Sequence, residues 1–116
     1  MKTSSLRTYK GPGRIVISRS TRGASPAGYR VFKALAPGDY FRTASKEEYI
    51  KLFEAQLAKL DPVEVWERLH DLADGHEPVL LCYEVPPFTE TNWCHRRMVA
   101  NWFERELGHK VEELVI

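Results

Sequence analysis

Four consecutive residues, Cys94-His95-Arg96-Arg97, set a thiol, an imidazole and two guanidinium groups side by side in the stretch NWCHRRMVANW. A second thiol and a carboxylate, Cys82 and Glu84, stand two positions apart in the preceding LLCYE. Three kinds of chemistry are open to such a set. A cysteine at a helix N-terminus beside arginine has a lowered pKa and can act as a nucleophile, which fits Cys94. His95 or Glu84 can move protons. Arg96, helped by the unsatisfied N–H groups of a helix N-terminus, can hold an anion such as phosphate. A further polar group, Ser18, Arg19, Ser20 and Arg22, follows an apolar run earlier in the chain and adds two cations to the anion-binding candidates.

Each of these residues also has a plainer role. Glu84 and Arg96 can form a structural ion pair that fastens a strand end to a helix. Cys82, among Val79, Leu80 and Leu81, reads as a small core residue. His95 can be a satisfied core histidine, and Cys94 an inert thiol. Several sharper motifs are excluded. A phosphatase-type loop needs an Arg six residues after its Cys, where Ala100 follows Cys94 and Phe88 follows Cys82. G-x-x-x-x-G-K-[ST], G-x-G-x-x-G and H-E-x-x-H are all absent. Cys82, Cys94 and His95 could ligate a metal, but His70, His76 and His109 are scattered and no paired ligand spacing appears, so neither metal nor cofactor is expected.

The elements that position these residues are marked by turn and cap signals. Gly11-Pro12-Gly13 breaks the chain before RIVIS, residues 14 to 18, a short buried strand. Residues 21 to 44 contain Gly and Pro punctuation around YRVFKAL, residues 29 to 35, and are expected to be a loop over the site that also hides a short element. Ser45 with Glu48 forms a capping box for a helix over about 46 to 59. Asp61-Pro62 opens a second, over about 62 to 74, that stops at Gly75. The run from Pro78 to Glu84, apolar on both alternating faces, is a central strand. After Pro86-Pro87 and a polar loop, a third helix runs from about Trp93 to Leu107 and ends at Gly108, and KVEELVI returns as a last strand. The expected fold is α/β: a small parallel or mostly parallel sheet of three to four strands with helices on both faces. In such sheets ligands bind at the carboxyl ends of the strands, where both polar groups fall. Helical phase turns His95 and Arg96 toward the buried side with Val99, Ala100, Trp102 and Phe103, and Arg97 toward solvent with Asn101 and Glu104. An inward Arg96 needs a carboxylate or an anion, and Glu84 is the nearest in sequence.

The chain has 116 residues, 43% hydrophobic and 28% charged, which suits one small domain. Residues 1 to 13 are expected to be a flexible basic arm and 14 to 116 a single α/β domain. No apolar run is long enough to span a membrane, and the first residues lack a signal-peptide core, so a cytoplasmic location is expected, with both cysteines reduced. The net charge of +1 conceals an asymmetry. From Met1 to Gly38 there are basic residues and no Asp or Glu, so an anionic partner should meet this third of the chain.

LLCYE, residues 80 to 84, followed by CHRR, residues 94 to 97, resembles the paired signature of the domain of unknown function 488 family, whose relatives include the YeaO-like proteins. YRVFKALAP and the helix pair after it are also similar to that family's middle region. The resemblance implies a small cytoplasmic α/β domain whose activity is not established, with Cys82, Glu84, Cys94, His95 and Arg96 as the presumed site. Many relatives place an acidic residue with Arg after the first strand, where this chain has Ser18-Arg19-Ser20, and less acid is left for a shared acid-base mechanism.

Three functions fit these residues. The first is an anion or phosphate site, and with it an enzyme on a nucleotide or nucleic-acid substrate. The second is a non-catalytic nucleic-acid-binding module, and the third a structural or regulatory protein with an ion-paired Glu84-Arg96 junction.

Overall fold

The computed structural model describes residues 1–86, 88–89 and 93–114. Five strands, β1 (Lys2–Ser5), β2 (Arg14–Val16), β3 (Arg30–Val31), β4 (Val79–Cys82) and β5 (Glu112–Glu113), pair in parallel in the order β3-β2-β4-β1-β5. Three helices accompany them: α1 (Lys46–Ala58), α2 (Pro62–Ala73) and α3 (His95–Leu107). Of the expected last strand, Val115 and Ile116 lie outside the described residues, as do Pro87 and residues 90–92 of the polar loop.

The helix boundaries follow from local chemistry. The Ser45 hydroxyl accepts the Glu48 N–H at the start of α1. The Asp61 carboxylate accepts the N–H groups of Val63 and Glu64 at the start of α2, with Pro62 in the first helical position. α3 ends at Gly108, whose φ of 71° is the left-handed conformation that a residue with a side chain seldom adopts. In the segment 21–44, the expected short element is β3 with two single 3₁₀ turns, Lys33–Leu35 and Asp39–Arg42.

Strand order decides where the helices go. From β1 to β2 to β3 the chain steps across the sheet in one direction; from β3 to β4 to β5 it steps back the other way. Right-handed connections place these two sets of crossovers on opposite faces. One face carries all three helices. Ile15, Ile17 and Leu80 join Phe53 and Leu57 of α1, Val65 and Leu69 of α2, and Val99, Trp102 and Phe103 of α3 in a single buried cluster. The other face is covered by the helix-free connections instead: Leu6, Val16, Val79 and Leu81 lie under Tyr9, Ala24 and Tyr29. Arg14 fastens that cover. Its guanidinium, almost wholly buried, donates to the carbonyls of Gly11, Pro26 and Ala27. The α/β class and parallel sheet are as read from the sequence. The sheet has five strands where three to four are expected, and loops take the place of helices on its second face.

The N-terminal arm is the larger correction. Lys2–Ser5 is an internal strand, paired with β4 on one side and β5 on the other. Thr3, Ser4 and Ser5 are buried, and each hydroxyl is satisfied: Thr3 donates to Glu113 Oε1 (2.6 Å), Ser4 to the Leu114 carbonyl (3.1 Å) and Ser5 to the Tyr83 carbonyl (2.8 Å). Removing residues 1–6 is therefore expected to abolish the cooperative thermal transition by breaking the sheet into two parts. A truncated chain that melts like the full one, followed by circular dichroism, would show β1 to be dispensable.

Candidate functional site

The connections leaving the carboxyl ends of β2 and β4 set off toward opposite faces, and these two strands are neighbours. Between them opens a cavity of about 650 Å³, at the topological switch point where parallel sheets bind ligands. Three segments build one side of it. The loop after β2 contributes Ser18, Arg19 and Ser20; the end of β4 contributes Cys82, Tyr83 and Glu84; and the start of α3 contributes Cys94 and His95. The opposite wall comes from the tail of the long loop and the first turn of α1, with Phe41, Arg42, Ser45, Lys46 and Tyr49. Trp93 meets Tyr49 edge to face, 4.8 Å between centroids.

His95 is buried against β2. Its Nε2 lies 2.7 Å from the Ile17 carbonyl, and a carbonyl can only accept, so Nε2 carries the proton and Nδ1 keeps its lone pair. Phe53 packs edge-on against the ring. Burial pulls the imidazole pKa down to about 4; the bond to Ile17 opposes that shift and the charge of Arg96 adds to it. His95 is thus a neutral group at neutral pH, with Nδ1 3.7 Å from Cys94 Sγ. Tyr49 is likewise uncharged, since burial first, then the nearby Tyr40 and Glu84, push its phenol pKa up.

Cys82 and Cys94 are joined as a disulfide, which replaces the pair of free thiols expected from the sequence. Pleat alternation puts Cys82 on the same face as Leu80, toward the helices, and Cys94 is the N-cap of α3 directly above. In this state Cys94 has no thiol to offer as a nucleophile. The ligand-bearing atoms of Cys82, Cys94 and His95 all fall within 4.8 Å of one another, and all three residues are buried.

Arg96 has the carboxylate that its burial demands, but that carboxylate belongs to Glu113 and not to Glu84. Its fully buried guanidinium grips the Glu113 carboxylate through Nε (3.0 Å) and Nη2 (2.7 Å). Nη2 also donates to the backbone carbonyl of Glu84 (2.7 Å), and Nη1 donates to Cys82 Sγ (3.1 Å). The arginine ties α3 to the ends of β4 and β5 and does not line the cavity. Arg97, expected in solvent, is half-buried and donates to Thr3 Oγ1 (2.8 Å) and the Val111 carbonyl (3.0 Å). Glu113 was legible only as the residue two positions after the buried Val111, hence on the same face of the last strand.

The group after β2 is divided too. Arg19 reaches the cavity, paired with the exposed Asp39 (2.9 Å) and lying 4.5 Å over the Phe41 ring. Ser18 and Ser20 line the same space but spend their hydroxyls within the turn, Ser18 on the Ser20 carbonyl and Ser20 on the Arg22 N–H. The Arg22 side chain is exposed and apart from the cavity. Arg42, Lys46 and the aromatic wall were not singled out from the sequence, although the capping box placed Ser45 and Lys46 at a helix start. Among the described residues no helix is long and apolar enough to cross a membrane.

Fold and cavity define a small parallel α/β protein with a cationic, aromatic-walled crevice at its switch point. The chain belongs to the family described as domain of unknown function DUF488, whose model matches residues 17–103. That span holds all the cavity residues but stops short of Glu113, the partner of Arg96. Comparison with curated proteins and with solved structures gave no match.

Two outcomes are expected for the buried polar groups. Arg96→Met should cost about 3–5 kcal/mol in urea unfolding, because it strands the Glu113 carboxylate, while adding Glu113→Gln should recover part of that loss. No recovery would mean that the pair is not coupled. His95 binds a proton in the unfolded chain below about pH 6.5 but resists it in the fold down to about 4. The unfolded state therefore holds more protons in that window, and stability falls as the pH drops through it, by at most about 1.4 kcal/mol per pH unit. His95→Gln should flatten this part of the stability–pH profile relative to wild type, and parallel profiles would contradict the assignment.

Proposed function

We propose that the crevice binds a phosphorylated small molecule bearing a planar ring, of the nucleotide class. One observation carries this reading: Arg19, Arg42 and Lys46 meet the capped N-terminus of α1 on the rim of a cavity whose remaining wall includes Phe41, Tyr49 and Trp93. Cations and helix N–H groups suit a phosphate, and the rings suit a base. The volume is in the range of small-molecule sites. The Arg19–Asp39 pair is exposed at the aspartate, so exchanging it for a phosphate costs little. Glu84, in the cavity beside the Cys94-His95 turn, is the carboxylate positioned to exchange a proton with such a ligand.

The distribution of basic residues weighs against the nucleic-acid module. Arg14 is turned inward onto three carbonyls, Lys10 donates to the Leu6 carbonyl and Lys2 pairs with Glu112, so these charges do not line up with Arg19 as one stripe. The junction reading describes Arg96, with Glu113 in place of the Glu84 carboxylate, and leaves the crevice to be explained.

Calorimetric titration with nucleoside mono- and diphosphates, and with the corresponding nucleosides, tests the proposal. Phosphorylated ligands should bind and nucleosides should bind more weakly. Arg42→Ala with Lys46→Ala should lower the affinity by about 10- to 100-fold, the loss of one or two charge-assisted hydrogen bonds. Absence of binding, or binding indifferent to phosphate and to both substitutions, sinks it. Salt-sensitive binding of oligonucleotides that survives both substitutions would favour the nucleic-acid module.

A further inference from the structure

We propose that Cys82, Cys94 and His95 form a site for a thiophilic divalent cation, zinc by preference, and that the Cys82–Cys94 disulfide is its oxidised, metal-free state. The inference does not depend on phosphate binding. It starts from the convergence of three buried ligand-type residues from two elements, the end of β4 and the first turn of α3.

The geometry suits one ion. A nitrogen and a sulfur on a tetrahedral zinc, with Zn–N about 2.0–2.1 Å and Zn–S about 2.3 Å, stand roughly 3.6 Å apart. Cys94 Sγ and His95 Nδ1 are 3.7 Å apart. The two cysteine Cα atoms are 7.0 Å apart, which leaves room for the reduced sulfurs to stand apart as two ligands of the same ion.

The surroundings suit it as well. Metal-bound histidines generally donate their second ring N–H to a backbone carbonyl or carboxylate, which fixes the tautomer and the ring. The Ile17 carbonyl does this for His95, leaving Nδ1 with its lone pair on the cysteine side. A neutral core histidine needs such a bond too, but it does not need two cysteine sulfurs around its remaining lone pair. The charges also balance: two thiolates neutralise a dication, and the charge of Arg96, whose Nη1 donates to Cys82 Sγ, is matched by Glu113. Sulfur and imidazole ligands select zinc over magnesium or calcium. Since all three residues border the crevice, the fourth position opens into it, as in zinc sites that keep a water or ligand oxygen.

The two states exclude each other, because a sulfur bonded to sulfur is no longer a thiolate ligand. A dithiol reductant converts one to the other: it attacks the Cys82–Cys94 bond, leaves as its own cyclic disulfide, and the two cysteines take up its electrons and protons. Zinc then displaces the two thiol protons as it binds.

The test uses the full chain, reduced with a phosphine, desalted without oxygen and titrated with Co²⁺ and then Zn²⁺, with circular dichroism recorded at each step. The reduced protein should take up about one ion per chain, giving thiolate-to-cobalt charge transfer and the intense ligand-field bands of a tetrahedral site, both erased by Zn²⁺. The oxidised protein should take up none. Cys94→Ser should weaken binding at least about tenfold and reduce the charge-transfer intensity, and His95→Gln should weaken it while keeping charge transfer from both sulfurs. The proposal fails if the reduced, folded protein binds no cobalt or zinc, if the oxidised form binds equally well, or if Cys94→Ser binds like wild type. It fails equally if reduction unfolds the chain and zinc does not restore the fold.

Discussion

A guanidinium with no exposed surface must be neutralised where it sits, and much of this structure is arranged around that demand. Arg96, in the first turn of α3, bonds to Cys82 at the end of β4, to the Glu84 carbonyl just beyond it and to Glu113 of the last strand. Its counter-charge, Glu113, is also the acceptor for Thr3 on β1, and Thr3 accepts from Arg97 in turn. The result is a closed polar network beneath a helix, with no buried side-chain nitrogen or oxygen left without a partner among the described residues. Such a network adds modestly to net stability compared with an apolar core, but it is intolerant of partial dismantling. It fixes the rotation of α3, and therefore the direction in which Cys94 and His95 point.

The crevice is a product of chain direction. Had the chain continued to add strands on one side, the loops after β2 and β4 would have left toward the same face and closed over each other. The reversal at β3 separates them, and the long connection to α1 then supplies a cationic, aromatic wall. Gln56 in α1 steadies that wall by donating to the carbonyls of Ala34 and Ala36 and accepting from the Tyr40 hydroxyl.

What could be read from the sequence follows a physical division. The limits of α1, α2 and α3 are set within a few residues by caps and glycine stops, and β2 and β4 by apolar runs between breakers, so all were legible. β1 was not. KTSS has no apolar residue, and its burial depends on hydroxyl groups finding acceptors at Glu113, Leu114 and Tyr83, far away along the chain. The distribution of helices over the faces needed the strand order, which no local pattern carries. In the candidate site, helical phase turned His95 and Arg96 inward correctly. The partners of both, Ile17 just past β2 and Glu113 in β5, lie far away in the chain and could be assigned only once those strands were in register.

Placing Lys2–Ser5 between β4 and β5 also governs when the protein can be finished. β1 pairs with Val79–Cys82 and with Glu112–Glu113, contacts whose separation reaches 110 positions. Helices α1 and α2 can cap and form from local signals, but the middle of the sheet cannot close until β4 and then β5 are brought to β1. Until then β1 is a short polar segment with both edges open, and it holds little apolar surface to attract a wrong partner during the wait.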